Sequence, residues 1–520
     1  MTTPPMPTLR HIPIRSIGSS EVHVRYLDED PNLQPFLGMR PRNHEDLLRR
    51  APVNARRLLA PDVLGSALEA YARRHNAPEP VLDAARRVGA GQAFMVVTGQ
   101  QPGLFGGPLY ALHKAATAVR LARDLSATGG PDVVPIFWNH TDDHDLDEVS
   151  HAFFVNTNLD VQRVRLDLDR AGECIRSVGV GHSMEHALAA VGDLLPHSEF
   201  RQWALDIFQA QNPNEHLGDA MARLLFAMFG KHGLLVIEPR DLPAEAFEVL
   251  PRWLEQADDI RGRIRATVEH LTDVGVDPTL DPGATLMFQF QGNRRVAMAD
   301  GDPVQRATDL SPGALLRPLW QDACLPSVGF IVGPGELAYL SVAGPLYQAL
   351  GVPMPLFVPR ASLTLVEPSL AKLLKRFGWD LPDLDRGVHE LSASVATDNS
   401  EGDEGNLDRL SKHLAGEMEE LASTVKKSDP QIVRAVERTR AKIQEELKKL
   451  QVKLRNQRNN RRGTGMRQIR RLCNSLRPKG RLQERVLTPL PFLAAHGEAL
   501  ADHLVEAADP FANGHGELEL

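Results

Sequence analysis

The chain has 520 residues, of which 42% are hydrophobic and 24% charged, and a net charge of −8. That composition supports a large core spread over about three structural units and excludes intrinsic disorder as the main state. Three cysteines exclude a disulfide scaffold or a cysteine-rich zinc module and fit a reducing cytoplasm, while the acidic balance and 5% aromatic content exclude a protein that coats nucleic acid. No signal-peptide h-region and no apolar run of about 18 residues occurs, so a cytoplasmic protein without a membrane partner is expected.

Residues 1–90 read as helical, with helical spacing over His44–Arg50, Val53–Leu59, Asp62–His75 and Pro80–Val88. Five short apolar runs follow: Phe94–Val97, Val133–Trp138, Leu234–Ile237, Val328–Val332 and Pro355–Val358. Runs of this length, separated by helical stretches, predict an α/β fold with a parallel sheet buried on both faces. Each run ends in a polar or glycine-rich turn: Thr98-Gly99-Gln100-Gln101, Asn139 to Glu148, Glu238-Pro239-Arg240-Asp241, Gly333-Pro334-Gly335-Glu336, and Pro359-Arg360. Ligands of open α/β sheets bind beyond the carboxyl ends of the strands, so these turns predict one composite site.

Beyond residue 400 the pattern changes. Leu407, Leu410, Leu414, Met418, Leu421 and Val425, then Ile432 through Leu454, form two narrow apolar stripes with steps of three and four. Asp429 reads as an N-cap and Pro430 as a first helical residue. This predicts an antiparallel coiled-coil hairpin and a place for self-association. The stripe breaks at Arg461 to Gly465. From Lys453 to Arg481 there are 11 Lys/Arg and no Asp/Glu, leaving −19 on the rest of the chain (−8 minus 11). A solvated helix face is the simplest account of this block; the functional one is an anion site, with Arg461 and Arg462, for a nucleotide or for the partner subunit's acidic surface, and nucleic acid is the remotest.

Three segments carry chemistry. In Val97 to Tyr110 a strand enters a glycine-rich loop and then a helix, whose bare N–H groups favour anions. Its spacing is neither GxGxxG nor a P-loop. Tyr110 and Lys114, four apart, share a helix face with Gln100 and Gln101 before them. His140 to His151 holds eight ionisable side chains in twelve residues. Such crowding suits acid–base work or Mg²⁺, and His140 with His144 leaves zinc open, although no HExxH occurs. The bland reading is a helix start with acids on its dipole. Arg317 and Gln321 are again four apart, and Gly333 to Tyr339 repeats the strand–glycine–helix arrangement.

The segments VVTGQQPGLFGGPLYALHKA, VPIFWNHTDDHDLDE, LLRPLWQDACLPSVGFIVGPGELAYL, PLFVPRASLTL and LQERVLTPLPF resemble, in order, the motifs of the BshC family, the cysteine-adding enzymes of bacillithiol biosynthesis. Asp142 stands where that family often has glutamate. The resemblance implies a Rossmann-like core with helical insertions and a C-terminal coiled-coil domain that supports dimers. Four regions are expected: a helical segment at 1–90 packing on the core, the core at 91–400, the coiled coil at 401–478, and a segment at 479–520 returning to the core. The family core is similar to class I nucleotidyltransferases. That places Gly99 to Tyr110 at the position of the HIGH-type segment, without its histidines, and Arg360 to Thr364 at that of the KMSKS-type loop.

The implied reaction is a ligation of L-cysteine to the amino group of glucosaminyl malate. Amide formation from a free carboxylate is uphill, so the cysteine carboxylate needs activation, with ATP and Mg²⁺ as the candidate cosubstrate; no resident metal is expected. Asp143, His144, Asp145 and Lys114 are the candidate catalytic residues, with His144 as the base. Thr98, Gly99, Gln100, Gln101, Tyr110, Arg317, Gln321, Gly335, Glu336, Tyr339 and Arg360 are the candidate substrate contacts. The alternatives are a nucleotidyltransferase-like or metal-dependent hydrolase acting through the Asp/His cluster, and a scaffold whose working part is the coiled coil.

Overall fold

A computed structural model of the chain describes residues 8–51, 58–168, 172–278, 283–299, 301–397, 402–425 and 430–520; within its helices the side chains of 396–397, 402–406, 430–431 and 454–462 are not described. Two compact units result. The larger comprises residues 1–157, 161–368 and 481–520, and the smaller 158–160 and 369–480.

The larger unit is built on a five-stranded, all-parallel sheet. Its strands are Ala93–Gln100, Asp132–Asn139, Leu235–Ile237, Ser327–Val332 and Leu356–Pro359. All five predicted runs are therefore strands. Taken in sequence as first to fifth, they lie in the order fifth, fourth, first, second, third. This is the doubly wound Rossmann order, whose direction reverses between the first and fourth strands. The strands are almost wholly buried, as expected for a sheet covered on both faces. The helix Tyr110–Ser126 packs against the first two strands. At the sheet's carboxyl end, Trp138 meets Trp320 edge to face at 5.5 Å, and the Trp320 indole N–H donates to the Ala246 carbonyl at 2.7 Å.

Of the predicted N-terminal helices, three are present as His44–Leu48, Pro61–Arg74 and Glu79–Gly89. The fourth falls mostly on residues 52–57, outside the described residues. Three β features were not anticipated. Thr8–Pro13 pairs antiparallel with Gly514–Glu519, which pairs parallel with Ser362–Val366. His151–Val155 and Val161–Arg165 form a hairpin, and Met287–Gln291, Arg294–Ala297 and Leu310–Pro312 form a small antiparallel sheet. The insertions in the core are therefore partly β rather than purely helical.

The smaller unit holds the predicted hairpin, as helices Gly402–Val425 and Pro430–Leu476. Gln451 donates to Asp408 at 2.9 Å, so the middle of the second helix lies beside an early turn of the first: the pair is antiparallel. The Asp429 cap lies outside the described residues. The break in the apolar stripe at Arg461 to Gly465 is not a break in the helix: the backbone stays helical through Leu476. A Cβ at Gly463 or Gly465 would meet nothing within 4 Å, so here glycine marks an open helix face, not a turn. No described helix is long and apolar enough to cross a membrane.

Candidate active site

The first strand ends at Gly99-Gln100, beside the point where the sheet order reverses. A side chain at Gly99 would sit 2.6 Å from the Trp138 carbonyl, so glycine is required there, and its own carbonyl turns to the Lys114 ammonium at 2.7 Å. The following loop is tightly constrained. Phe105 holds φ at 53° while wedged edge-on between Phe154 and Phe208, and Gly106 has φ +85° with Leu224 and Pro489 where a Cβ would be. Packing thus holds a backbone that a bulky residue would not adopt alone.

Two charge pairs, one with a buried lysine and both otherwise half-buried, stand at this reversal. Lys114, fully buried, meets the Glu336 carboxylate at 2.5 Å and donates to the Gln100 side-chain oxygen at 3.1 Å. Glu336 also accepts the Gly333 backbone N–H at 2.6 Å and the Tyr339 hydroxyl at 3.4 Å, capping the helix Pro334–Ala349. Burial lowers the Lys114 pKa, and Glu336 opposes that shift. The second pair is Arg317 with Asp143: both terminal guanidinium nitrogens lie 3.2 Å from one carboxylate oxygen. Burial would raise the Asp143 pKa. Arg317, Arg295 and the backbone N–H groups of Asp145 and His144 outweigh it and hold the carboxyl far below the usual range.

The paired glutamines connect the two. Gln100 donates to the Tyr110 hydroxyl at 3.3 Å and to the Gln101 oxygen at 3.0 Å; Gln101 donates to Asp143 at 3.3 Å and Glu148 at 3.0 Å. The expected shared helix face of Tyr110 and Lys114 is thus turned to Gln100. Burial pushes the Tyr110 hydroxyl up to about 12.

The other candidates are placed differently. The Thr98 hydroxyl is buried and donates to the Ile331 carbonyl, tying first strand to fourth. Gly335 has open space around its Cα. Gln321 is buried, with its amide nitrogen unpartnered. Asp145 caps the short helix Leu146–Val149, which is the bland reading of that acid. His144 faces Arg295 at 3.3 Å and the Phe288 ring. The Arg461 and Arg462 side chains lie outside the described residues.

Arg360 does not face the site as a free cation. It forms a two-pronged pair with Glu484, at 2.6 and 2.9 Å, and both side chains are almost fully buried. Glu484 also accepts from Ser362, the Leu363 N–H and His113, at 2.9 to 3.0 Å. Burial would raise the Glu484 pKa, but Arg360 and His113 drive it well below the usual value.

Part of the Asp/His cluster is likewise committed. Asp142 is clasped by Arg240 at 2.9 to 3.2 Å, Asp143 by Arg317, and Asp147 by Arg165 at 2.6 Å. Among the described residues Asp145 and Glu148 have no arginine partner, and no metal-type grouping of His, Cys, Asp and Glu falls on His140 to His151.

Arg295 and Arg485 are absent from the contacts expected from the sequence, and His140 is expected there only as a possible zinc ligand. Arg295 comes from the small antiparallel sheet and stacks on Phe288 at 3.9 Å. His140, partly buried, has an unpartnered Nδ1; burial, Arg317 and Lys114 hold its ring neutral. Arg485 lines a cavity of about 270 Å³ with Gln100, Gln101, Tyr110, Glu148 and Arg481. The one available signal was the block's last arginine, Arg481, four residues before Arg485 in the last resembling motif.

Buried neutral histidines also set an acid limit. Burial lowers His113, and burial with Arg360 and Arg485 lowers His23 to about 4. The unfolded chain binds these protons at about 6.5 and the folded chain does not, so stability falls as pH drops below about 6.5, by up to about 1.4 kcal/mol per unit per histidine. Urea midpoints should therefore decline from about pH 7 to about pH 5 and change little just above 7; a flat profile would contradict this assignment.

A Rossmann-type sheet with charged pairs beyond the carboxyl ends at its reversal places the chain among doubly wound α/β proteins. Comparison with known sequences narrows this. The family model described as "Bacillithiol biosynthesis BshC, N-terminal Rossmann-like domain" matches residues 8–306 and 303–361, and that for the "C-terminal coiled-coil domain" matches 363–520. The chain belongs to the BshC family. It is 32% identical to a Thermus thermophilus protein over 84% of this chain and 90% of the relative. It is 29% identical to relatives from Heliobacterium modesticaldum (89% and 92%) and Symbiobacterium thermophilum (96% and 97%). All three carry the name "Putative cysteine ligase BshC".

Proposed function

We propose that the chain is a ligase that forms the amide bond between the carboxyl group of L-cysteine and the amino group of glucosaminyl malate. The observation that carries this reading is the pair of opposed charges, Arg317–Asp143 and Lys114–Glu336, joined by Gln100 and Gln101 at the sheet reversal. A free amino acid presents an ammonium and a carboxylate together, and such a rim offers a counter-charge to each. Asp143, ionised over the whole physiological range, suits the ammonium; Arg317 suits the carboxylate. Gln101 and Glu148 orient polar groups of the second substrate. Amide formation also needs a base for the attacking amine. His144 is our first candidate, with His140 the second because its ring is held neutral and its Nδ1 has no hydrogen-bond partner.

Arg485 and Arg481, at the cavity of about 270 Å³, are suited to the malate carboxylates. Arg485→Ala is expected to raise KM for glucosaminyl malate about tenfold with little change in kcat, since it removes an interaction made equally in ground and transition states. Equal KM values would remove Arg485 from the site.

The direct test is incubation with cysteine, glucosaminyl malate and ATP with Mg²⁺, following bacillithiol, AMP and ADP by mass spectrometry. Absence of product with every nucleotide tried would overturn the ligase reading for the isolated protein; Arg461 and Arg462 variants in the same assay test the nucleotide role of the basic block. Leu410, Leu421, Ile432, Leu450 and Val452 remain 44–57% exposed on the hairpin, which supports a homodimer formed there, to be read by sedimentation equilibrium. The three buried, unbridged thiols suit the cytoplasm.

A further inference from the structure

A second polar cluster lies beyond the end of the third strand and takes no part in the proposed ligation. His75 closes the helix Pro61–Arg74, Asp219 lies in the first turn of the helix Leu217–Phe229, and Glu238 follows the strand Leu235–Ile237. One donor atom from each lies within 4.8 Å of the others. The His75 side chain is 7% exposed and its Nε2 has no hydrogen-bond partner; an Asp219 oxygen stands 3.8 Å away. Glu238 is fully buried. Two further buried polar atoms close by are also unpartnered, Asn139 Oδ1 and His216 Nδ1. Arg176 Nε stands 4.0 Å from one Glu238 oxygen and makes no close pair with it; buried polar groups are nearly always paired, so three orphans around two carboxylates point to a missing partner that accepts lone pairs.

We infer that His75, Asp219 and Glu238 form a binding site for one divalent transition-metal ion. An imidazole nitrogen with two carboxylates favours zinc, or a neighbouring ion such as cobalt, over magnesium and calcium, which prefer oxygen-only sites. The surroundings are arranged as outer support: the Tyr71 hydroxyl donates to one Glu238 oxygen at 2.9 Å, Thr141 donates to the other at 2.8 Å, and the His216 ring stands 3.3 Å from Asp219. Such an ion would pin three elements distant in sequence, and through Thr141 it would steady the loop that leads to Asp143.

The test uses the full-length protein, stripped with a chelator, dialysed and titrated with Zn²⁺ against a chromophoric competitor, and separately with Co²⁺ followed by its visible absorption. The expected result is one ion per chain, with affinity weakened about 100-fold or more in His75→Ala and Glu238→Gln. Asp219→Asn, at a partly exposed helix start, is the milder variant should those two fail to fold, as judged by circular dichroism. Failure of the wild-type chain to bind stoichiometric metal at micromolar free ion would overturn the inference, as would unchanged affinity in folded variants. Neither readout depends on ligase activity.

Discussion

Replacing Glu484 with glutamine is expected to destabilise the larger unit by about 3–5 kcal/mol, the usual cost of leaving one partner of a buried ion pair unpaired. The pair with Arg360 has 1–3% side-chain exposure, so solvent screens little of it. The change strips charge from a carboxylate that serves Arg360, His113, Ser362 and the Leu363 N–H together. Denaturant midpoints of wild type and variant measure the difference. Arg360→Met should cost a similar amount, and Glu484→Leu combined with Arg360→Met should recover much of the loss, because no unpaired charge then remains buried. A single-variant loss below about 1 kcal/mol, the level of an exposed pair, would show that water reaches the network.

Asp143→Asn is expected to lower kcat/KM for ligation about 100-fold or more while leaving the fold intact. Asparagine keeps the shape and two of the acceptor contacts but removes the charge that holds Arg317, and unpairing a desolvated charge typically costs 2–5 kcal/mol of binding. Arg317→Met should show a loss of the same order, and the double variant should be little worse than either single one if the two act as a unit. Steady-state rates with both substrates varied would decide this. Single variants within about threefold of wild type would remove the pair from the chemistry.

Both predictions rest on side chains whose importance was unequally visible in the sequence. The five strands were legible because each is a short, nearly continuous apolar run, and the polar turn after each run marked where a ligand would lie. The glutamine pair, Lys114 and Arg317 followed from those turns and from four-residue helical spacing. Arg360 stands at the carboxyl end of a strand and is expected from the sequence to contact substrate; its partner Glu484 is 124 residues away, and local patterns carry no information on such a pairing. Arg295 was invisible for the same reason, since the small sheet that delivers it is assembled from pairings that periodicity does not encode. The crowded Asp/His segment suggested a single reactive cluster. Arginines from separate parts of the chain divide it instead: Arg240 takes Asp142, Arg317 takes Asp143 and Arg165 takes Asp147.

The three-stranded sheet of Thr8–Pro13, Gly514–Glu519 and Ser362–Val366 bears on the order in which the protein is made. Its middle strand is the last of the three to leave the ribosome, and until it does the other two have nothing between them. The hairpin of Gly402–Val425 and Pro430–Leu476, by contrast, relies on neighbours close in sequence and can form while synthesis continues. The larger unit therefore closes only after translation has passed residue 519, and a chain stalled short of that point would expose two unpaired strand edges.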